Sequence, residues 1–139
     1  MNTRKILAGV LAAGAMALAA PAGAQAAVPD DPYGFCWPSA SDCANGTSGT
    51  IVWSNRTATA TGTIWHYSGS GSSQAQFRAF AGDKQIGKLD TRTVHAGGAD
   101  EGYSVGLGDT DLRGGINRVD IRFCSPTLTN CSVWAHFYK

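Results

Sequence analysis

From residue 27 onward the apolar side chains come in short bursts, and within each burst they recur at every second position. Ala75, Phe77, Ala79 and Ala81 fall on one side of their segment, with Gln74, Gln76 and Arg78 on the other. Tyr103, Val105 and Leu107 repeat the pattern, and so do Val119, Ile121 and Phe123, which alternate with Arg118, Asp120 and Arg122. A period of two is the signature of strands with one buried and one solvated face, and no segment here sustains a helical period. Seven strands are predicted, at about 50–55, 58–67, 74–81, 85–94, 102–107, 116–124 and 131–138, separated by clusters of Gly, Ser, Asn and Asp. Ala81-Gly82-Asp83-Lys84 reads as a tight hairpin turn, and Ser68 to Ser73 as a flexible loop too short to link domains. The expected fold is all-β: one antiparallel β-sandwich of about seven strands over residues 50–139, preceded by an irregular segment, 27–49, held by prolines.

The first 26 residues follow other rules. Arg4 and Lys5 precede an unbroken apolar run from Ile6 to Ala20, then Pro21 and Gly23, then the small-x-small triplet Ala24-Gln25-Ala26. This is the layout of a signal peptide cleaved after Ala26, which predicts a secreted, extracellular product of bacterial type. The run falls short of the roughly 20 residues that span a bilayer, which disfavours a retained anchor and leaves no membrane partner after cleavage.

Without Arg4 and Lys5, the eleven Lys and Arg of the chain become nine against ten Asp and Glu, and no like charges run together. Nucleic acid and anionic membranes need clustered cations, so neither is expected as a partner. All four cysteines lie beyond residue 26, spaced C-x6-C twice. An even count behind a secretory leader reads as disulfides, and local pairing, Cys36–Cys43 and Cys124–Cys131, is the simplest of three connectivities.

Leu112, Gly115, Asn117, Val119 and Ile121 form an L-x-x-G-x-N-x-V-x-I string. Over these ten residues the chain resembles the penultimate-strand pattern of bacterial β-sandwich modules of the immunoglobulin-like and galactose-binding-like kinds. The resemblance implies a sandwich and carries no binding or catalytic residue with it.

Candidate chemistry is concentrated in the aromatics. Trp65 and Tyr67 share a strand face with Thr59, Thr61 and Thr63, opposite a small apolar side of Ala58, Ala60, Gly62 and Ile64. Aromatic planes among hydroxyls suit pyranose rings, so Trp65 and Tyr67 are the expected ligand-binding residues. Trp134, His136 and Tyr138 form a second row. If Cys124 and Cys131 close a regular hairpin, Ile121 lies opposite Trp134, which puts that row in the core; a one-residue bulge would reverse it.

The loop clamped by Cys36 and Cys43 contains Trp37, Pro38 and Ser39 and is preorganised like an inhibitor loop. Secreted two-disulfide β-proteins include the tendamistat type of amylase inhibitor, from which this chain differs in length, in Cys spacing and in lacking a Trp-Arg-Tyr triplet. Asp109-Thr110-Asp111-Leu112-Arg113-Gly114 opens like a calcium loop, but Arg113 occupies a ligand position and no Glu closes it, so a polar turn is expected and no metal or cofactor. His66, His95 and His136 have no metal-ligand spacing, and no G-x-S-x-G elbow is present. The resulting expectation is a non-catalytic extracellular binding module for an extracellular polysaccharide or a secreted protein. A disulfide-loop inhibitor of a secreted protease or glycosidase is the alternative, and a small enzyme comes third.

Overall fold

The computed structural model describes residues 27–98 and 100–139; the leader and its cleavage site lie outside them. Eight strands follow in order: β1 (Asp31–Trp37), β2 (Asn45–Trp53), β3 (Thr57–His66), β4 (Ser72–Ala81), β5 (Lys84–His95), β6 (Glu101–Gly108), β7 (Arg118–Cys124) and β8 (Ala135–Tyr138). They form two four-stranded antiparallel sheets, β1-β2-β3-β6 and β5-β4-β7-β8. One hydrophobic core, drawn from the inward positions of both sheets, includes Ile51, Ala60, Ile64 and Val105 from the first and Phe77, Val94, Val119 and Ile121 from the second. The all-β, disulfide-braced architecture expected from the alternation is therefore present, with Cys36 bonded to Cys43 and Cys124 to Cys131.

The segment expected to be irregular, 27–49, instead carries β1 and the first half of β2. Tyr33, Phe35 and Trp37 do alternate there, but Pro32, Gly34 and Cys36 between them read as breakers. In β2 the inward positions are Asn45, Thr47 and Gly49, which no hydrophobic pattern reveals. Each polar one is buried with its bonds made: Asn45 Nδ2 donates to the Ser68 carbonyl at 2.9 Å, and Thr47 Oγ1 to the Thr63 carbonyl at 2.9 Å. Gly49 has a steric reason. Tyr33, Gly49, Gly62 and Tyr103 form one row across the first sheet, and the two tyrosine rings reach inward from the edge strands until their hydroxyls meet over the glycines. A Cβ on Gly49 would lie 2.5 Å from the Tyr33 hydroxyl, and one on Gly62 would lie 2.7 Å from that of Tyr103.

The last hairpin departs from the regular register. Cys124 and Cys131 face each other, but Ile121 pairs with Ala135, not with Trp134. Ser132, Val133 and Trp134 thus stand against only Arg122 and Phe123, a bulge of one residue that inverts everything after it. Ser132 holds it: its N–H donates to the Phe123 carbonyl at 2.8 Å, and its hydroxyl accepts from the Phe123 N–H at 3.1 Å. The core placement of Trp134 is overturned. His136 lies across from Asp120 and Tyr138 across from Arg118 on the outward face, while Phe137 turns in and packs edge-on against Tyr33, with centroids 6.3 Å apart.

Candidate functional site

The outward face of the first sheet is a plane of small uncharged residues. Its rows run Gly34-Ser48-Thr63-Gly102, Pro32-Thr50-Thr61-Ser104 and Val52-Thr59-Gly106, and none of these positions carries a charge. Solvated strand faces and edges ordinarily carry charges that discourage unwanted pairing, so a neutral, hydroxyl-studded face is open to contact. The alternation Thr57-Thr59-Thr61-Thr63 along β3 supplies the central line of hydroxyls, and Ala58, Ala60 and Ile64 on the reverse anchor that strand in the core.

Trp65 lies at one end of this plane. Its register partner is Gly46, and a Cβ there would lie 2.5 Å from the indole Cζ2, so the ring covers the glycine. The indole Nε1 donates to the Cys43 carbonyl at 3.1 Å, which ties the ring to the first disulfide loop, and the side chain remains partly exposed. Tyr67 continues the same alternation one residue beyond β3: its N–H donates to the Ala44 carbonyl at 2.9 Å. Its ring is 60% exposed and its hydroxyl donates to the Asp100 carboxylate. Sequence and structure thus place both aromatics beside the threonine line, Trp65 held over Gly46 by its indole hydrogen bond and Tyr67 free on most of its surface.

The clamped loop is divided. Trp37 turns inward and packs against the core, whereas residues 38–42 are all exposed. Ser39 organises that tip, its hydroxyl accepting from the Asp42 N–H at 3.2 Å and lying 3.0 Å from the Ser41 hydroxyl. Asp109 acts as a turn residue, accepting the Asp111 N–H at 2.8 Å.

The histidines are separate. His66 is fully buried; its Nε2 donates to the Gly69 carbonyl at 3.3 Å, which leaves Nδ1 to accept from Ser73 Oγ at 2.7 Å. Ser73 in turn lies 3.0 Å from the Ser125 hydroxyl, and neither serine is open to solvent. This pair lacks both a carboxylate and an approach for substrate.

The outward face of the second sheet holds a feature that alternation alone did not reveal. Arg118, Phe80, Arg78, Trp134 and Arg122 stack as a ladder of alternating cations and rings. The guanidinium-to-ring distances are 4.0 Å (Arg118 to Phe80), 5.3 Å (Arg78 to Phe80), 3.6 Å (Arg78 to Trp134) and 4.5 Å (Arg122 to Trp134). Asp120 sits beneath it, 1% exposed, and meets three basic groups: Arg78 Nη2 at 3.0 Å, Arg118 Nε at 3.0 Å and His136 Nδ1 at 2.7 Å. The only hint in the sequence was the triplet Arg118, Asp120, Arg122 on one strand face, which would have had to be joined to Trp134 through the correct register. Comparison with known protein families, with curated proteins and with solved structures finds no significant match to this chain.

Proposed function

We propose that this protein is a non-catalytic extracellular binding module that holds a neutral polysaccharide against the outward face of its first sheet. The observation that carries this reading is the uncharged Ser/Thr/Gly plane with the Trp65 ring set over Gly46 at its end. A pyranose ring offers an apolar C–H face to an indole and equatorial hydroxyls to its surroundings, and this plane offers a partner for each. The absence of charge favours a neutral ligand over an acidic or basic one. The two disulfides accord with an oxidising, extracellular setting.

Retention on insoluble neutral polysaccharides tests the reading. Trp65→Ala and Thr61→Glu are both expected to abolish retention while the melting transition stays cooperative. Thr61 is exposed, so its replacement spoils the plane without touching the core. Retention unchanged in both variants would remove this face from consideration. A second reading rests on the exposed, hydrogen-bonded 38–42 tip, which has the form of an inhibitor loop. Slowed turnover of a secreted protease or glycosidase, abolished by Ser39→Pro but not by Thr61→Glu, would favour it.

A further inference from the structure

We propose that the ladder on the second sheet is a binding site for the carboxylate or sulfate groups of an acidic polysaccharide. It is independent of the neutral plane on the opposite face. Three of the six arginines in residues 27–139 are gathered here, although the chain as a whole is close to neutral. Asp120 is the one carboxylate among the outward positions of β4, β7 and β8; Arg78 and Arg118 share it, and Arg122 has no carboxylate partner on these strands.

The guanidiniums are held but not saturated. Each has five N–H donors in a rigid fork. Arg78 spends Nη2 on Asp120, and its buried Nε has no acceptor. Arg118 Nε lies 3.0 Å from Asp120 Oδ1 but is not aligned for a hydrogen bond. Arg122 donates through Nε to Gln76 Oε1 at 2.7 Å, and Gln76 and Gln74 pass that contact on to Thr93, so the β7 arginine is braced across the sheet to β5. Contact with the Phe80 and Trp134 rings restrains the three guanidiniums further. Arginines immobilised in advance lose little side-chain entropy on binding, and their forks match the paired oxygens of carboxylate and sulfate.

The geometry also selects among polyanions. Arg78 and Arg122 both lie over the Trp134 ring, so a nucleobase stacking there would compete with two guanidiniums. Three cations in one compact row suit acidic groups on one or two sugar units, not a phosphate backbone tracked over many residues. Tyr138, 63% exposed and paired with Arg118, offers a ring at the end of the row for the sugar that carries the acid.

Affinity electrophoresis in gels containing dextran sulfate, polygalacturonate or neutral dextran reads this site. The wild-type protein is expected to be retarded by one or both acidic polymers at low ionic strength, with salt relieving the retardation; the two polymers distinguish sulfate from carboxylate. Arg118→Gln/Arg122→Gln is expected to weaken binding by about tenfold or more. Arg122→Lys alone, which keeps the charge and loses the fork, should weaken it less and guards against a variant that does not fold. Lys84→Gln/Lys88→Gln, which removes the same charge from β5, and Trp65→Ala are expected to bind acidic polymers like the wild type. Failure of the neutral-face reading would leave these results untouched. No retardation of the wild type, equal loss in the lysine variant, or stronger binding to anionic phospholipid vesicles than to either acidic polymer would each overturn the proposal.

Discussion

Tyr33 and Tyr103 stand on opposite edges of the first sheet, yet their hydroxyls lie 2.7 Å apart, joined above the glycine pair Gly49 and Gly62. Thr47 Oγ1 lies a further 2.7 Å from the Tyr103 hydroxyl, and the Tyr33 hydroxyl donates to the Thr61 carbonyl at 3.3 Å. The outermost strands are thus tied together through the sandwich interior, beneath the uncharged outward plane of the first sheet.

This tie makes the fold sensitive to alkali. Burial, and then the hydrogen bond with Tyr103, push the Tyr33 phenol well above its usual 10. Burial raises Tyr103 too, against the opposing pull of its bonds to Thr47 and Tyr33 and of the Arg92 charge. Both are neutral in the fold, whereas the unfolded chain ionises near pH 10, so the stabilisation is complete below that pH and is lost above it. The slope is about 1.4 kcal/mol per pH unit for each tyrosine. Urea midpoints measured on either side of pH 10 should show the decline, and Tyr33→Phe should halve it. Reversible ionisation of all four tyrosines in the intact fold, read by ultraviolet absorbance, would contradict this account.

Gly49→Ala and Gly62→Ala should each destabilise by about 3 kcal/mol, because the added methyl meets a neighbouring backbone carbonyl as well as a tyrosine hydroxyl. A matched substitution at Gly34, where a Cβ meets nothing within 4 Å, should cost little. Equal midpoints for the three variants in a denaturant titration would show that the close approach is not felt.

No thiol should be available to alkylation in the folded, unreduced protein. Reduction should cost about 2–3 kcal/mol for each disulfide, since each closes a short loop. Intact mass after alkylation, followed by melting with and without reductant, checks both parts.

The bulge at Ser132 to Trp134 predicts an order of damage opposite to that of a regular hairpin. Phe137→Ala removes a ring packed on the core and should cost about 3 kcal/mol. Trp134→Ala removes a partly exposed ring whose contacts are cations, at about 1–2 kcal/mol, and should leave the fold intact. Denaturant midpoints that rank the two variants the other way would restore the regular register.

The strands that the sequence makes legible are those with apolar inward residues, such as Ala75 to Ala81 in β4 and Val119 to Phe123 in β7. What stays hidden is of two kinds. β1 and β2 are obscured because their shared interior is built from hydroxyls, an amide and glycine, a solution that exists only once Tyr33 and Tyr103 are known to converge. The ladder is obscured because it depends on register, and nothing in Ser132-Val133-Trp134 announces that three residues will fit the space of two. Trp65 and Tyr67 were readable since Thr59, Thr61 and Thr63 mark their side of β3, while Ala58, Ala60 and Ile64 mark the other.

That single surplus residue in the last hairpin decides which groups the second sheet shows to solvent. Paired without a bulge, the same residues would place Trp134 opposite Ile121 and turn β8 by half a turn about its own axis. Trp134 and His136 would pass inside and Phe137 would pass out, so the cation ladder would lose its central ring and Asp120 its histidine in the same event. A chain lacking Val133 would need no bulge: its two remaining residues would face Arg122 and Phe123, and Ala135 would stay opposite Ile121. The surface chemistry of one whole face thus turns on whether a loop absorbs one residue or passes it down the strand.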